Sequence, residues 1–290
     1  MTTRKMTAKA WQLNNFMERK TLQKEVILKG IGLHTGAPCT MVFRPSEQGH
    51  ISFVRTDLNA APIRAELGAV SSTMRGTNLS NGTALVHTAE HVLSTANAFG
   101  ITDLVIAMDG PEPPVMDGSA LEYAKAMLNA GFKPLGGSYP VLTLKNKIEY
   151  KDGNVSYAAE PSDKPKITFV FVRDHALVSR QEYTFELTPD NFLHLIAPAR
   201  TFGFEEEIAF LRANGLAKGG TADNCVIIRK DKFSTALRFA DEMARHKILD
   251  LLGDFKLMNA ALGPVHISCT GGGHKNNVEF AKMLLKELGK

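Results

Sequence analysis

Between residues 21 and 73, apolar and polar positions alternate in short runs broken by glycine and proline. KEVILKGIGLHTG, TMVFRP and HISFVRTDL therefore read as strands. The period then lengthens. In HTAEHVLSTANAFG the apolar residues Val92, Leu93, Ala96 and Phe99 have helical spacing. Thr88 stands where a cap belongs and Gly100 where a stop belongs. ITDLVIAM is a short buried strand and PEPPVMDG a loop. SALEYAKAMLNAG predicts a second helix that opens on a Ser119/Glu122 capping box and ends at Gly131. GGSYP, residues 136–140, reads as a linker. A second strand-rich block follows over about 141–200. FEEEIAFLRANG predicts a helix, GLAKGGTADN a glycine-rich loop, residues 241–260 a helix, and VHISC a strand. TGGGHKN is a loop before a last helix, NVEFAKMLLKELG.

The two halves resemble each other, each closing on helix, strand, glycine-containing loop and helix. EYAKAML at 122–128 is echoed by EFAKMLL at 279–285. The same offset sets His246 beside the Glu90–His91 pair and His274 beside Asp117. The pattern predicts an α+β fold made by duplication. The expected domains are residues 21–137 and 138–290, with cleft residues at the seam between them. Residues 1–20 are basic and lack a long apolar stretch, so an unstructured extension is expected there, with an organelle leader as the alternative.

Composition narrows the partners. A net charge of +4, spread without basic runs, gives no footprint for nucleic acid. Cys39, Cys225 and Cys269 lie far apart without a CxxC pair, which points to a reducing compartment and no disulfide framework. No apolar run approaches the roughly 18 residues of a membrane span.

The chemistry concentrates in three places. In RHKILDLLGD, His246, Asp250 and Asp254 recur every four residues and share a helix face. A solvated face would give the same stripe, but His and Asp one turn apart also suit a metal such as Zn²⁺. Glu90 and His91 open another helix and could add a third ligand and a base; a surface Glu beside a half-buried His would look the same. His274 follows three glycines and precedes a helix, where backbone can approach a ligand closely. An incidental loop histidine is the competing reading.

Seven segments in order are similar to the zinc-dependent UDP-3-O-acyl-N-acetylglucosamine deacetylases of lipid A biosynthesis. They are GIGLHTG (30–36), TAEHVLS (88–94), PEPPVMDGS (111–119), ARTFGFEEEI (199–208), GLAKGGTADN (215–224), LRF with RHKILDLLGD (237–254) and GGHKNN (272–277). The resemblance covers roughly residues 21–288. It implies two similar domains, each a β-sheet packed on a pair of α-helices, with the active site between them. It also implies His91, His246 and Asp250 as zinc ligands, Fe²⁺ being able to take the same set. Glu90 corresponds to the general base and His274 to the acid or electrostatic partner. Thr201 corresponds to the oxyanion-stabilising threonine and Phe202 to the aromatic against the sugar. Lys247 and Asp254 support substrate and site, and Phe204 and Ile208 help line the acyl passage. Phe210 and Leu211 are further apolar candidates, and His34 is implied near the metal.

The implied reaction is amide hydrolysis. A metal-bound water attacks the N-acetyl group of UDP-3-O-(3-hydroxyacyl)-N-acetylglucosamine and releases acetate, the committed step of lipid A biosynthesis. A deacetylase acting on another N-acetylated nucleotide sugar is the alternative. The implied protein is a cytoplasmic monomer with a small-molecule substrate and neither a nucleic-acid partner nor a transmembrane segment. Three departures from the family pattern touch the rim: the longer amino-terminal extension, Lys275 and Asn276 after His274, and the short basic stretch RKDKFSTA at 229–236.

Overall fold

A computed structural model describes residues 16–288. The described chain opens with β1 (Phe16–Leu22), then β2 (Val26–Ile31), β3 (Pro38–Pro45), β4 (Ile51–Arg55) and β5 (Ile63–Arg64). A small meander follows, β6 (Val70–Ser72), β7 (Asn78–Ser80) and β8 (Leu85–Val86). Helix α1 (Glu90–Ala98), β9 (Leu104–Met108) and α2 (Leu121–Ala130) complete the first half. β10 (Phe132–Leu142) leads to β11 (Ile148–Asp152), β12 (Val155–Pro161), β13 (Lys166–Val172) and β14 (Arg180–Glu186). A single turn, α3 (Pro189–Asn191), precedes β15 (Phe202–Phe204), α4 (Glu205–Ala213) and β16 (Val226–Ile228). The chain continues through α5 (Glu242–Lys256), β17 (Ala261–Leu262), β18 (Val265–Thr270) and α6 (His274–Leu285).

The two main sheets share one topology. Their orders are β2-β3-β9-β4-β5 and β11-β12-β18-β13-β14. In each, the last strand enters the centre, antiparallel to one neighbour and parallel to the other. This matches the duplication read from the repeated helix motif. Alternation explains which face turns inward. Cys39, Met41 and Phe43 of β3 are buried, as are Ile167, Phe169 and Phe171 of β13.

Helices α1 and α5 pack against each other, and one hydrophobic core runs through both halves. Every residue of α1 is buried. That close approach depends on Gly253, where a Cβ would lie 2.1 Å from the Glu90 carbonyl oxygen.

Several local expectations are corrected. Residues 16–20 are strand, because the basic side chains find partners: Arg19 Nε donates to the buried Asp103 carboxylate at 3.1 Å, and β1 pairs with β10. Residues 1–15, the rest of the expected extension, lie outside the described residues. GGSYP is part of β10, where Gly136 and Gly137 take positive φ beside a bulge in the β1 pairing. The expected boundary at 137/138 therefore falls inside a strand. Thr88 does not cap α1, whose cap position is Ala89. Ser119 precedes the cap of α2 by one residue, so the expected box does not form there.

Candidate active site and metal centre

The α1–α5 contact brings His91 to face His246 and Asp250. Nε2 of His91 lies 3.7 Å and Nε2 of His246 3.4 Å from Asp250 Oδ1. Such separations suit donors that share one cation at about 2.0–2.2 Å each. Asp250 Oδ1 is buried and has no hydrogen-bond partner among the described residues, the condition of a ligand atom. His246 Nδ1 donates to the Ala199 carbonyl at 3.1 Å, which leaves its Nε2 lone pair for the cavity. Burial lowers the affinity of both imidazoles for protons and drives His91 down to about 3, so both are neutral, as metal ligands must be. Burial opposes the charge of Asp250, yet His246, Lys247 and His274 hold its carboxyl well below the usual range. Three donors of this kind on two packed helices fit a divalent cation.

A second group closes around the same point. Glu90, Asp250 and His274 have ligand-type atoms within 4.8 Å of one another. Glu90 Oε2 accepts from the Thr77 amide at 2.8 Å, and its Oε1 lies 3.9 Å from His274 Nε2. Burial pushes the Glu90 carboxyl upward, helped by Asp250 and Asp254. For His274, burial opposes the charge, but Asp254 and Glu90 outweigh it and raise the group to about 9. Its Nδ1 meets Asp254 Oδ2 at 3.0 Å. Asp254 is fully buried and also accepts from Thr77 Oγ1 and, at 2.7 Å, from Asn277 Nδ2.

A cavity of about 320 Å³ opens over these groups. Its lining includes Glu90, His91, Thr201, Phe202, Phe204, Ile208, His246, Lys247, Asp250 and His274. Asp254 stands behind His274 and is not part of the lining. Lys247 Nζ reaches Asp250 Oδ2 at 2.8 Å and sits 5.4 Å from the Phe202 ring centre. Phe202 packs edge-on against Phe171 and against the His246 ring. Leu211 lines the cavity, whereas Phe210 is 65% exposed on the outer side of α4. Helical spacing explains that difference, since neighbours on a helix point about 100° apart.

The structure adds residues that spacing could not supply. Thr77 ties Glu90 to Asp254 from a strand end with no motif around it. His34, which sequence alone could not separate from an ordinary turn residue, lines the cavity. Its Nδ1 accepts from the Ala217 amide at 3.4 Å and its Nε2 donates to the Arg75 carbonyl at 3.0 Å. Arg75 and Arg173 both reach Glu207 across the mouth. Long-range pairs of this kind carry no local signal. Asp117, aligned with His274 by the repeat, instead pairs with Arg238 at 2.8 Å.

Residues 19–286 match the model of the UDP-3-O-acyl N-acetylglycosamine deacetylase family. A UDP-3-O-acyl-N-acetylglucosamine deacetylase from Thermodesulfovibrio yellowstonii is 38% identical over 92% of this chain and 92% of its own. Its counterpart from Nitratiruptor sp. is 36% identical over 92% and 91%. One from Campylobacter jejuni subsp. jejuni serotype O:6 is 36% identical over 93% and 92%. The chain belongs to the UDP-3-O-acyl N-acetylglycosamine deacetylase family.

Proposed function

We propose that the protein removes the N-acetyl group from UDP-3-O-(3-hydroxyacyl)-N-acetylglucosamine, giving acetate and the free amine, as the committed step of lipid A biosynthesis. The observation that carries this reading is the convergence of His91, His246 and Asp250 with Glu90 and His274 on one cavity.

His91, His246 and Asp250 would hold the cation, and the two imidazoles with one carboxylate suit Zn²⁺, Fe²⁺ being compatible with the same donors. When bound there, a divalent cation polarises the acetyl carbonyl and acidifies water. Glu90 takes the proton of the attacking water. The Thr77 amide fixes one of its oxygens, and the other faces His274. His274, oriented through Nδ1 by Asp254, presents Nε2 towards the departing amine and supplies a proton or a positive charge there. Thr201, in the cavity wall, is placed to hydrogen-bond the oxyanion of the tetrahedral intermediate. The C–N bond then breaks, acetate leaves, and the amine keeps the transferred proton.

Recognition follows the lining. Phe202 offers a flat face to the sugar, while Phe204, Ile208 and Leu211 give an apolar wall for an acyl chain. Lys247, Arg75, Arg173 and Arg212 place positive charge where a nucleotide diphosphate would lie. All of these groups come from one chain, so a monomer suffices. Free Cys39, Cys225 and Cys269 agree with a cytoplasmic place, and no described helix is long and apolar enough to cross a membrane.

The test uses two variants. Glu90→Ala is expected to lose at least ~10²-fold in turnover while retaining the metal. His91→Ala is expected to lose the metal. Near-normal turnover in the first, or full metal content in the second, contradicts these assignments.

A further inference from the structure

Glu112, from the PEPP segment, is 1% exposed, and no Lys or Arg lies within ion-pair distance of it among the described residues. A buried carboxylate without a counter-cation must be held by hydrogen bonds. Glu112 is held by donors from two places. The His34 amide donates to both its oxygens at 3.0 Å. The Thr35 amide at 2.8 Å and the Thr35 hydroxyl at 2.9 Å donate to Oε2. From the other side, the Thr88 hydroxyl donates to Oε1 at 2.8 Å. Gly32 leaves the room for this, since a Cβ there would lie 2.4 Å from Oε2.

Both places lead into the cavity. The first is the tip of the β2–β3 hairpin, which contributes Leu33 and His34 to the lining. It also locks onto the glycine-rich loop of the second half: the Lys218 amide donates to the His34 carbonyl and the Gly219 amide to the Leu33 carbonyl. The second is Thr88, two residues before Glu90. Thr88 has φ +52, a conformation that a β-branched residue adopts only when its surroundings impose it. The Thr88 amide is fixed by Asn78 Oδ1 at 3.2 Å, and its hydroxyl by Glu112.

We propose that Glu112 is a positioning residue for the reaction: by gripping the His34 loop and the strained Thr88 turn at one carboxylate, it sets where Glu90 and His34 stand across the cavity. It touches neither the metal ligands nor the substrate cavity, and acts through Thr88 and His34. Its kinetic consequence rests on the deacetylase reading; its structural consequence does not.

The test compares the full-length, metal-loaded protein with Glu112→Ala and Glu112→Gln, below the melting point of each. Glu112→Ala is expected to lose ~10²-fold in kcat, the scale of an ångström-sized misplacement. KM should stay within about threefold and metal content should be unchanged, because the three ligand side chains and the walls assigned to sugar and acyl chain, Phe202, Phe204, Ile208 and Leu211, are all retained and none of them contacts Glu112. Glu112→Gln is expected to recover to within about tenfold of the parent. Its oxygen can face the His34 and Thr35 amides, and its NH₂ can face the Thr88 hydroxyl, which turns to accept. Amide hydrogen exchange is read on the same proteins. It should quicken in residues 32–36 and 88–91 of Glu112→Ala and stay unchanged in β11–β14. If the parent protein fails to release acetate, the deacetylase reading falls, and the exchange pattern still decides the positioning role. A folded Glu112→Ala with parental kcat overturns the proposal, as does a kcat loss that Gln does not relieve, or unaltered exchange at 32–36 and 88–91. If Glu112→Ala does not fold, Thr88→Val replaces it, with loss of kcat at unchanged metal content expected and parental kcat overturning the proposal.

Discussion

Replacing Gly253 by alanine separates two opposite expectations. Gly253 lies inside α5 with an ordinary helical backbone. By helix propensity alone, alanine should stabilise it by ~1 kcal/mol. Packing says the reverse. The new Cβ would lie 2.1 Å from the Glu90 carbonyl oxygen and 2.7 Å from the Glu90 Cα, on backbone that cannot swing away like a side chain. It falls more than 1 Å short of the 3.4 Å at which ordinary contact begins. Helices α1 and α5 must therefore part by about that much, against a core packed without slack. Overpacking of this kind costs ~1–3 kcal/mol, enough to cancel the propensity gain and leave a net loss. The larger effect is on chemistry. Glu90 and His91 ride on α1, while His246 and Asp250 ride on α5, and across that contact His91 Nε2 stands 3.7 Å from Asp250 Oδ1. A shift of ~1 Å at a reacting centre can lower the rate ~10²-fold. The assay is kcat/KM for acetate release, with metal content and melting temperature measured on the same samples. A Gly253→Ala protein that melts higher than the parent and turns over at the parental rate refutes the reasoning.

Other outcomes follow from single groups. Lys256 is buried, donates to Tyr139 Oη at 3.1 Å, and burial lowers its ammonium to about 7, with Lys20 adding to the effect and Asp103 opposing it. In the unfolded chain it titrates near 10.5, so between these values the unfolded state binds more protons and stability rises with pH. Urea unfolding at pH 7, 8 and 9 should show a flatter slope in Lys256→Met than in the parent; equal slopes exclude this source. Glu242 is fully buried and accepts from the Arg200 amide and from Arg200 Nε at 2.8 Å. Arg200→Ala would leave that buried carboxylate with backbone amide donors but without its counter-cation, and is expected to destabilise by ~3–5 kcal/mol in denaturant titration. A loss under 1 kcal/mol would show that the pair is dispensable.

Much of this was legible in the sequence because it is local or repeated. The i, i+4 spacing of His246 and Asp250 put both on one face, and the family motifs pointed to His91, Glu90 and His274. The cavity brings these together with Thr201, Phe202, Phe204, Ile208 and Lys247. The repeated EYAKAML and EFAKMLL helices pointed to a duplication, and the two main sheets share one strand order. What was hidden depends on contacts between distant segments. Thr77 has no neighbouring motif, and its role exists only because the residue leading into β7 stands between Glu90 and Asp254. Glu112 stood inside a recognised segment, but only the folded hairpin tip shows what it grips. The cap at Thr88 failed because α1 begins one residue later, with Ala89 at the cap position, and Thr88 takes a positive φ instead of the extended backbone of a cap. The linker at 136–140 failed because paired glycines mark a strand bulge as readily as a break.

The central claim is that this cavity deacetylates an acylated UDP-sugar with the help of a cation. The direct measurement is acetate release from UDP-3-O-(3-hydroxyacyl)-N-acetylglucosamine by purified, metal-stripped protein, before and after one equivalent of Zn²⁺. The account predicts negligible release before addition and catalytic turnover after it. Tight stoichiometric zinc binding with no acetate released would contradict the substrate assignment, and absence of any tight metal binding would contradict the site itself.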